Sequence, residues 1–165
     1  MNNSYNDGFS TYAVCIVSQV KTNPMTNHID ILLVDDDQDD LYIISTMISA
    51  MNPSFSLLAM TDGKHAMAYL AALPDNGLPH LVIIDFNMPH MSGVEMLGHL
   101  HQSERYNQMV RVVLSTYGSP TDIKRCINTG AAGYFCKGGS LAEIQSVIED
   151  ILCLYDKIHC NAIPF

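Results

Sequence analysis

Ile29-Asp-Ile-Leu-Leu-Val-Asp-Asp-Asp37 opens the first regular part of the chain. A short, nearly continuous apolar run that stops abruptly in acids is the pattern of a strand buried on both faces, and such strands belong to parallel sheets. A strand is therefore expected over residues 29–34. Apolar residues at 41, 43, 44, 47, 48 and 51 then form a helical stripe. Asn52-Pro53 ends it, because the residue before proline is pushed out of the helical region.

The alternation repeats along the chain. Residues 55–60 read as a second strand, Thr61-Asp62-Gly63 as a turn, and residues 64–73 as a helix. Residues 81–84 form a third strand that ends at Asp85, and Val94, Leu97 and Leu100 mark a third helix. Residues 110–114 form the fourth strand. Ser119-Pro120 opens a helix, with serine as cap and proline where no amide hydrogen is needed. Gly130 can supply the left-handed residue that closes it. Residues 132–136 form the fifth strand, and Ser140-Leu-Ala-Glu143 is a capping box before a long last helix. Its residues 141, 144, 148, 151, 155 and 158 form a seam that is expected to face the core. Five strands alternating with five helices predict an α/β domain around a parallel sheet.

The 165 residues suit one domain, and 48% apolar content allows a packed core. Seventeen acids against eight bases give a formal charge of -9, which argues against a nucleic-acid-binding surface. The five cysteines, at 15, 126, 136, 153 and 160, form no C-x-x-C pair, so neither a zinc site nor a disulfide framework is expected. Reduced thiols fit a cytoplasmic protein. His99 and His101 point in different directions on a helix and make a poor ligand pair. No apolar run reaches a membrane span, and no basic residues precede the apolar stretch 12–17, so it makes a poor signal peptide. Residues 1–27 are expected to be an amino-terminal arm, flexible or not part of the native product. The domain is expected over 28–159, with a short tail at 160–165.

In a parallel sheet the strand ends share one edge, and ligands bind beyond it. Asp35-Asp36, Asp85, Ser115 and Lys137 all stand at strand ends. Clustered carboxylates repel one another, and a hard cation such as Mg²⁺ relieves this. A lysine and a hydroxyl can hold phosphate oxygens, and a carboxylate can attack phosphorus. The chemistry points to phosphoryl transfer onto a carboxylate. Singly, any of Asp35, Asp36 and Asp37 can equally cap the next helix, and Asp39 and Asp40 are explained by the helix dipole.

Four segments resemble the receiver domain of response regulators in two-component signalling. They are Ile31-Leu-Leu-Val-Asp-Asp-Asp37, Leu81-Val-Ile-Ile-Asp85-Phe-Asn-Met-Pro89 with Met91-Ser-Gly93, Val112-Val-Leu-Ser115-Thr116, and Gly133-Tyr134-Phe-Cys-Lys137. The resemblance covers residues 29–158. It implies a flavodoxin-like (βα)5 fold with strand order 2-1-3-4-5 and helices on both faces. It implies Asp85 as phosphoacceptor, with Lys137 and Ser115 acting on the phosphoryl oxygens. Mg²⁺ would be held by Asp36, Asp85 and the Asn87 backbone carbonyl, with Asp35 acting through a water. Ser115 and Tyr134 would be the switch pair. Thr116 is the alternative hydroxyl, but only one of two neighbours on a strand can point at the site.

The partners implied are a sensor histidine kinase or histidine phosphotransfer protein and a downstream protein target, with no nucleic acid and no membrane. The protein is expected to be a stand-alone receiver, a monomer or weak dimer. It is not expected to be an enzyme beyond catalysing its own phosphorylation and dephosphorylation. The family's proline after the lysine is replaced by Gly138, so a trans and looser loop is expected. Three rivals remain. One is a receiver-like module that works without phosphorylation. Another is an aspartyl-phosphate phosphatase, which would use Asp35 but would need an acidic pair after a further strand. The third is a flavin-binding domain, whose phosphate the acids after the first strand would repel.

Overall fold

The computed structural model describes residues 29–161. The whole of the expected arm, residues 1–27, and most of the expected tail lie outside the described residues. Five parallel strands stand in the order β2-β1-β3-β4-β5. They are β1 (Ile31–Val34), β2 (Leu57–Met60), β3 (Leu81–Asp85), β4 (Val110–Ser115) and β5 (Gly133–Cys136). The helices are α1 (Gln38–Met51), α2 (Gly63–Ala72), α3 (Gly93–His101), α4 (Pro120–Asn128) and α5 (Leu141–Asn161). Fold class and strand order are those the sequence implied.

The period of two along each strand divides the core. Leu32, Val34, Val82, Ile84 and Val113 face Leu70, Met96, Leu97 and Leu100 of α2 and α3, with Cys126 of α4. Ile31, Leu33, Leu81, Ile83 and Val112 face Leu41, Ile44 and Ile48 of α1 and Ile148 and Ile151 of α5. β1 and β3 are thus buried on both faces, which is why they read as unbroken apolar runs.

The helix starts are built as their sequences dictate. Asp37 caps α1, accepting from the amides of Asp39 and Asp40. That settles which of the three consecutive acids is the cap. Ser92 with Glu95 and Ser119 with Asp122 form capping boxes on α3 and α4. Gly130, at φ 95°, follows the end of α4.

Two expectations need correction. The seam of α5 is core only in its middle: Ile148, Ile151 and Tyr155 are buried, whereas Leu141 and Ile158 are 60% and 37% exposed. A helix of 21 residues is far longer than the strands of 6 and 4 residues, β4 and β5, beside it. The loop at Gly138-Gly139 is trans but not loose. The Gly139 and Ser140 amides donate to Glu143 Oε2 at 2.7 and 3.1 Å. A Cβ at Gly138 would lie 2.1 Å from the Cβ of Glu143, so only glycine permits this approach. Among the described residues no helix is long and apolar enough to cross a membrane.

Candidate functional site

Asp35 follows β1 directly, Asp85 and Ser115 end β3 and β4, and Lys137 follows β5. The strands are parallel and in register, so all four stand at one edge. The Lys137 amide donates to the Ser115 carbonyl at 2.7 Å, which extends the ladder by one rung and fixes where the lysine stem begins. Its ammonium then reaches Asp35 Oδ2 at 2.6 Å, Asp40 Oδ2 at 2.7 Å and Asp85 Oδ1 at 2.9 Å. Asp35 Oδ1 accepts from the Asp37 amide at 3.0 Å, and Asp85 Oδ2 from the Asn87 amide at 2.7 Å. Asp36 is exposed, yet carboxylate oxygens of Asp35, Asp36 and Asp85 come within 4.8 Å of one another.

The loop after β3 explains the Asp85–Gly93 motif. The Gly93 amide donates to the Phe86 carbonyl, and a Cβ at Gly93 would lie 2.4 Å from the Asp85 carbonyl oxygen. Glycine lets the start of α3 fold back against the Asp85 main chain. His90 takes a left-handed conformation, φ 66°, within the same loop.

One ammonium cannot satisfy this many acids. Burial works against the Lys137 charge, but hydrogen bonds to Asp35, Asp40 and Asp85 outweigh it and hold its pKa above the ordinary lysine value. Burial pushes Asp35 up to about 6, with crowding by Asp85 adding to it, against the opposing bonds from Lys137 and Asp37. The folded state therefore holds the Asp35 proton more tightly than the unfolded chain does. The stability from this group is complete below about pH 4 and is lost as pH rises through about 6. Lys137 is charged throughout that window. Without divalent cations, wild type is expected to lose about 2 kcal/mol relative to Asp35→Asn between pH 4 and 8, read from urea unfolding of both proteins.

A second arrangement lies beside the first. Ser115 is fully buried, and its Oγ donates to the Tyr117 carbonyl at 2.9 Å. The Tyr134 hydroxyl donates to the same carbonyl at 2.9 Å. The Tyr134 ring meets Phe86 edge-on, and a Cβ at Gly118 would lie 2.5 Å from that ring. Gly118 is thus the seat of the tyrosine. Thr116 is exposed, and Tyr117 is 75% exposed.

The structure therefore brings together Asp35, Asp36, Asp85 and Lys137, and joins Ser115 to Tyr134 through one carbonyl. Sequence reasoning missed Asp40 and Gly118. Asp40 had a sufficient local explanation in the helix dipole, and nothing in the sequence signals its reach to Lys137. Gly118 lies in a Tyr-Gly-Ser run that marks a loop and no more. His99 and His101 join no metal-ligand group among the described residues.

Comparison with known proteins bears on the fold and the family. A family model described as the response regulator receiver domain matches residues 31–149. The two-component response regulator ORR3 of Oryza sativa subsp. indica is 30% identical, over 74% of this chain and 89% of that protein. The crystal structure of the phosphorylated cyanobacterial phytochrome response regulator RcpA superposes with a TM-score of 0.71 at 25% identity, covering 78% of this chain and 94% of that one. A receiver domain from Rhodospirillum rubrum gives 0.67 at 25%, covering 78% and 93%.

Proposed function

Because the chain belongs to the response-regulator receiver family of two-component signalling, we propose that Asp85 accepts a phosphoryl group from a phosphohistidine of a sensor kinase or phosphotransfer protein. The observation that carries this is the Lys137 ammonium held between Asp35 and Asp85, with Asp36 within reach of both carboxylates.

The donor set fits a hard divalent cation. Oxygen ligands predominate, negative charge is in excess, and Asp36 is open to water. Asp36, Asp85 and the Asn87 carbonyl would hold Mg²⁺, with Asp35 acting through a water. When bound, the cation draws charge from the phosphoryl oxygens and orients them.

An oxygen of Asp85 attacks phosphorus as the bond from phosphorus to the donor nitrogen breaks. Lys137 then donates to a phosphoryl oxygen in place of Asp85 Oδ1. Ser115 turns its hydroxyl from the Tyr117 carbonyl toward the same group, which leaves that carbonyl to Tyr134. The phosphoryl group thus favours the state in which it gains these bonds, and the protein switches by population shift.

The face of α4, β5 and α5 carries the signal to a protein target. The exposed Ile123 and Ile127 of α4 support this, as does Leu141 at the start of α5. The protein acts in the cytoplasm as a monomer or weak dimer.

Incubation with Mg²⁺ and acetyl phosphate is expected to add one phosphoryl group by intact mass, and none after EDTA. A protein labelled neither by acetyl phosphate nor by a kinase would sink the reading. A label mapped to Asp35 would favour a phosphatase instead.

A further inference from the structure

Asp40 stands on the solvent side of the buried cluster. The Asp37 cap fixes its backbone in the first turn of α1, and its carboxylate reaches Lys137 Nζ at 2.7 Å. A lysine ammonium has three hydrogens to donate. Asp35 and Asp40 accept hydrogen bonds at 2.6 and 2.7 Å, and Asp85 Oδ1 lies 2.9 Å from the same nitrogen as an ion pair. The ammonium is therefore surrounded by three carboxylates before any phosphoryl group arrives.

A phosphoryl group on Asp85 needs at least one of those hydrogens, and two when Lys137 bonds more than one of its oxygens. The three partners are not equally able to yield. The Asp35 side chain is 3% exposed, and without Lys137 its buried charge would lose its principal counterion. Asp85 Oδ1 gives up its place to the phosphoryl group, which supplies one contact; a second must come from Asp35 or Asp40. The Asp40 side chain is 29% exposed and can exchange lysine for water at little cost. Its charge also stands against that of the incoming phosphoryl group, close enough to touch the same nitrogen.

We propose that Asp40 is a positioning residue: it competes with the phosphoryl group for Lys137 and so weakens the hold of the site on that group. This rests on Asp85 as acceptor and deepens that reading. The role is a brake on occupancy, exerted through Lys137 and not by contact with the metal ligands.

Beryllofluoride with Mg²⁺, titrated by calorimetry into wild type, Asp40→Asn, Asp40→Glu and Asp39→Asn, tests it. Asp39 is the neighbouring acid of the same turn and is not among the ion-pair partners of Lys137, which are Asp35, Asp40 and Asp85, so its amide variant controls for net charge and helix dipole. Asp40→Asn is expected to bind about fivefold tighter than wild type, the size of one screened charge contact. Asp40→Glu and Asp39→Asn are expected to stay near the wild-type value. A merely structural Asp40 would lower affinity when removed, not raise it. The inference is overturned if Asp40→Asn binds no tighter than wild type, or if Asp39→Asn gains as much. Binding by none of the four proteins overturns the acceptor reading, and this inference with it.

Discussion

Asp85→Asn is expected to take up no phosphoryl group from acetyl phosphate under conditions that label wild type fully, a loss of more than about a hundredfold. The amide is not a competent nucleophile toward phosphorus, and no neighbour can replace it. Asp35 is held by Lys137 and the Asp37 amide, and Asp36 stands outside the ring of contacts around the ammonium. The fold is expected to survive. Asp85 now accepts from the Asn87 amide and from Lys137. An asparagine keeps one of these bonds and turns donors toward the other partner, while one charge leaves a crowded crevice. The two effects oppose each other, so stability is expected to change by less than about 1 kcal/mol. Intact mass and urea unfolding of the same preparation separate the two results. A variant labelled as well as wild type would show that the acceptor lies elsewhere.

Lys137→Ala is expected to have the largest effect on stability. Lys137 is 8% exposed in its side chain and touches three carboxylates, one of them, Asp35, as buried as the core. Removing one partner of a buried ion pair costs about 3–5 kcal/mol, because the remaining charge is left without compensation. The cost depends on pH in a known direction. Asp35 titrates near 6 even with Lys137 present, so at pH 5 it takes up a proton and much of the penalty disappears. Urea unfolding without divalent cations is therefore expected to show a large loss at pH 8 and a smaller one at pH 5. Millimolar Mg²⁺ is expected to restore part of the loss at pH 8 by supplying the missing positive charge. An equal loss at both pH values would mean that the lysine stem, and not its charge, is what stabilises the crevice.

The fold was legible because its central strands are buried on both faces. β1 and β3 could be read as unbroken apolar runs ending in acids, and the register of the sheet then brought those acids to one edge. Strand starts were read up to two residues early, as at Phe55 for a strand that begins at Leu57, since an apolar residue before a strand looks like one inside it. Asp35, Asp36, Asp85 and Lys137 were legible from position alone. What was not legible depends on side-chain reach or on backbone groups. Which of Asp35, Asp36 and Asp37 caps α1 is not visible in sequence, and only the cap geometry shows that it is Asp37. Asp40 carries a local explanation that hides a tertiary one. The Tyr117 carbonyl, on which both Ser115 and Tyr134 converge, belongs to the main chain, which sequence does not distinguish from one residue to the next.

The Gly138-Gly139 segment has a mechanical consequence. Lys137 lies immediately before it, and Glu143, in the first turn of α5, grips it from the other side. Gly138 is already against the Glu143 backbone, so the segment has no slack to take up. A shift of the main chain at Lys137 is therefore expected to reach the near end of α5 instead of dying out in the loop. The glycines, which in sequence look like the most pliable point of the chain, thus hold the segment after Lys137 tightly against the helix beside it.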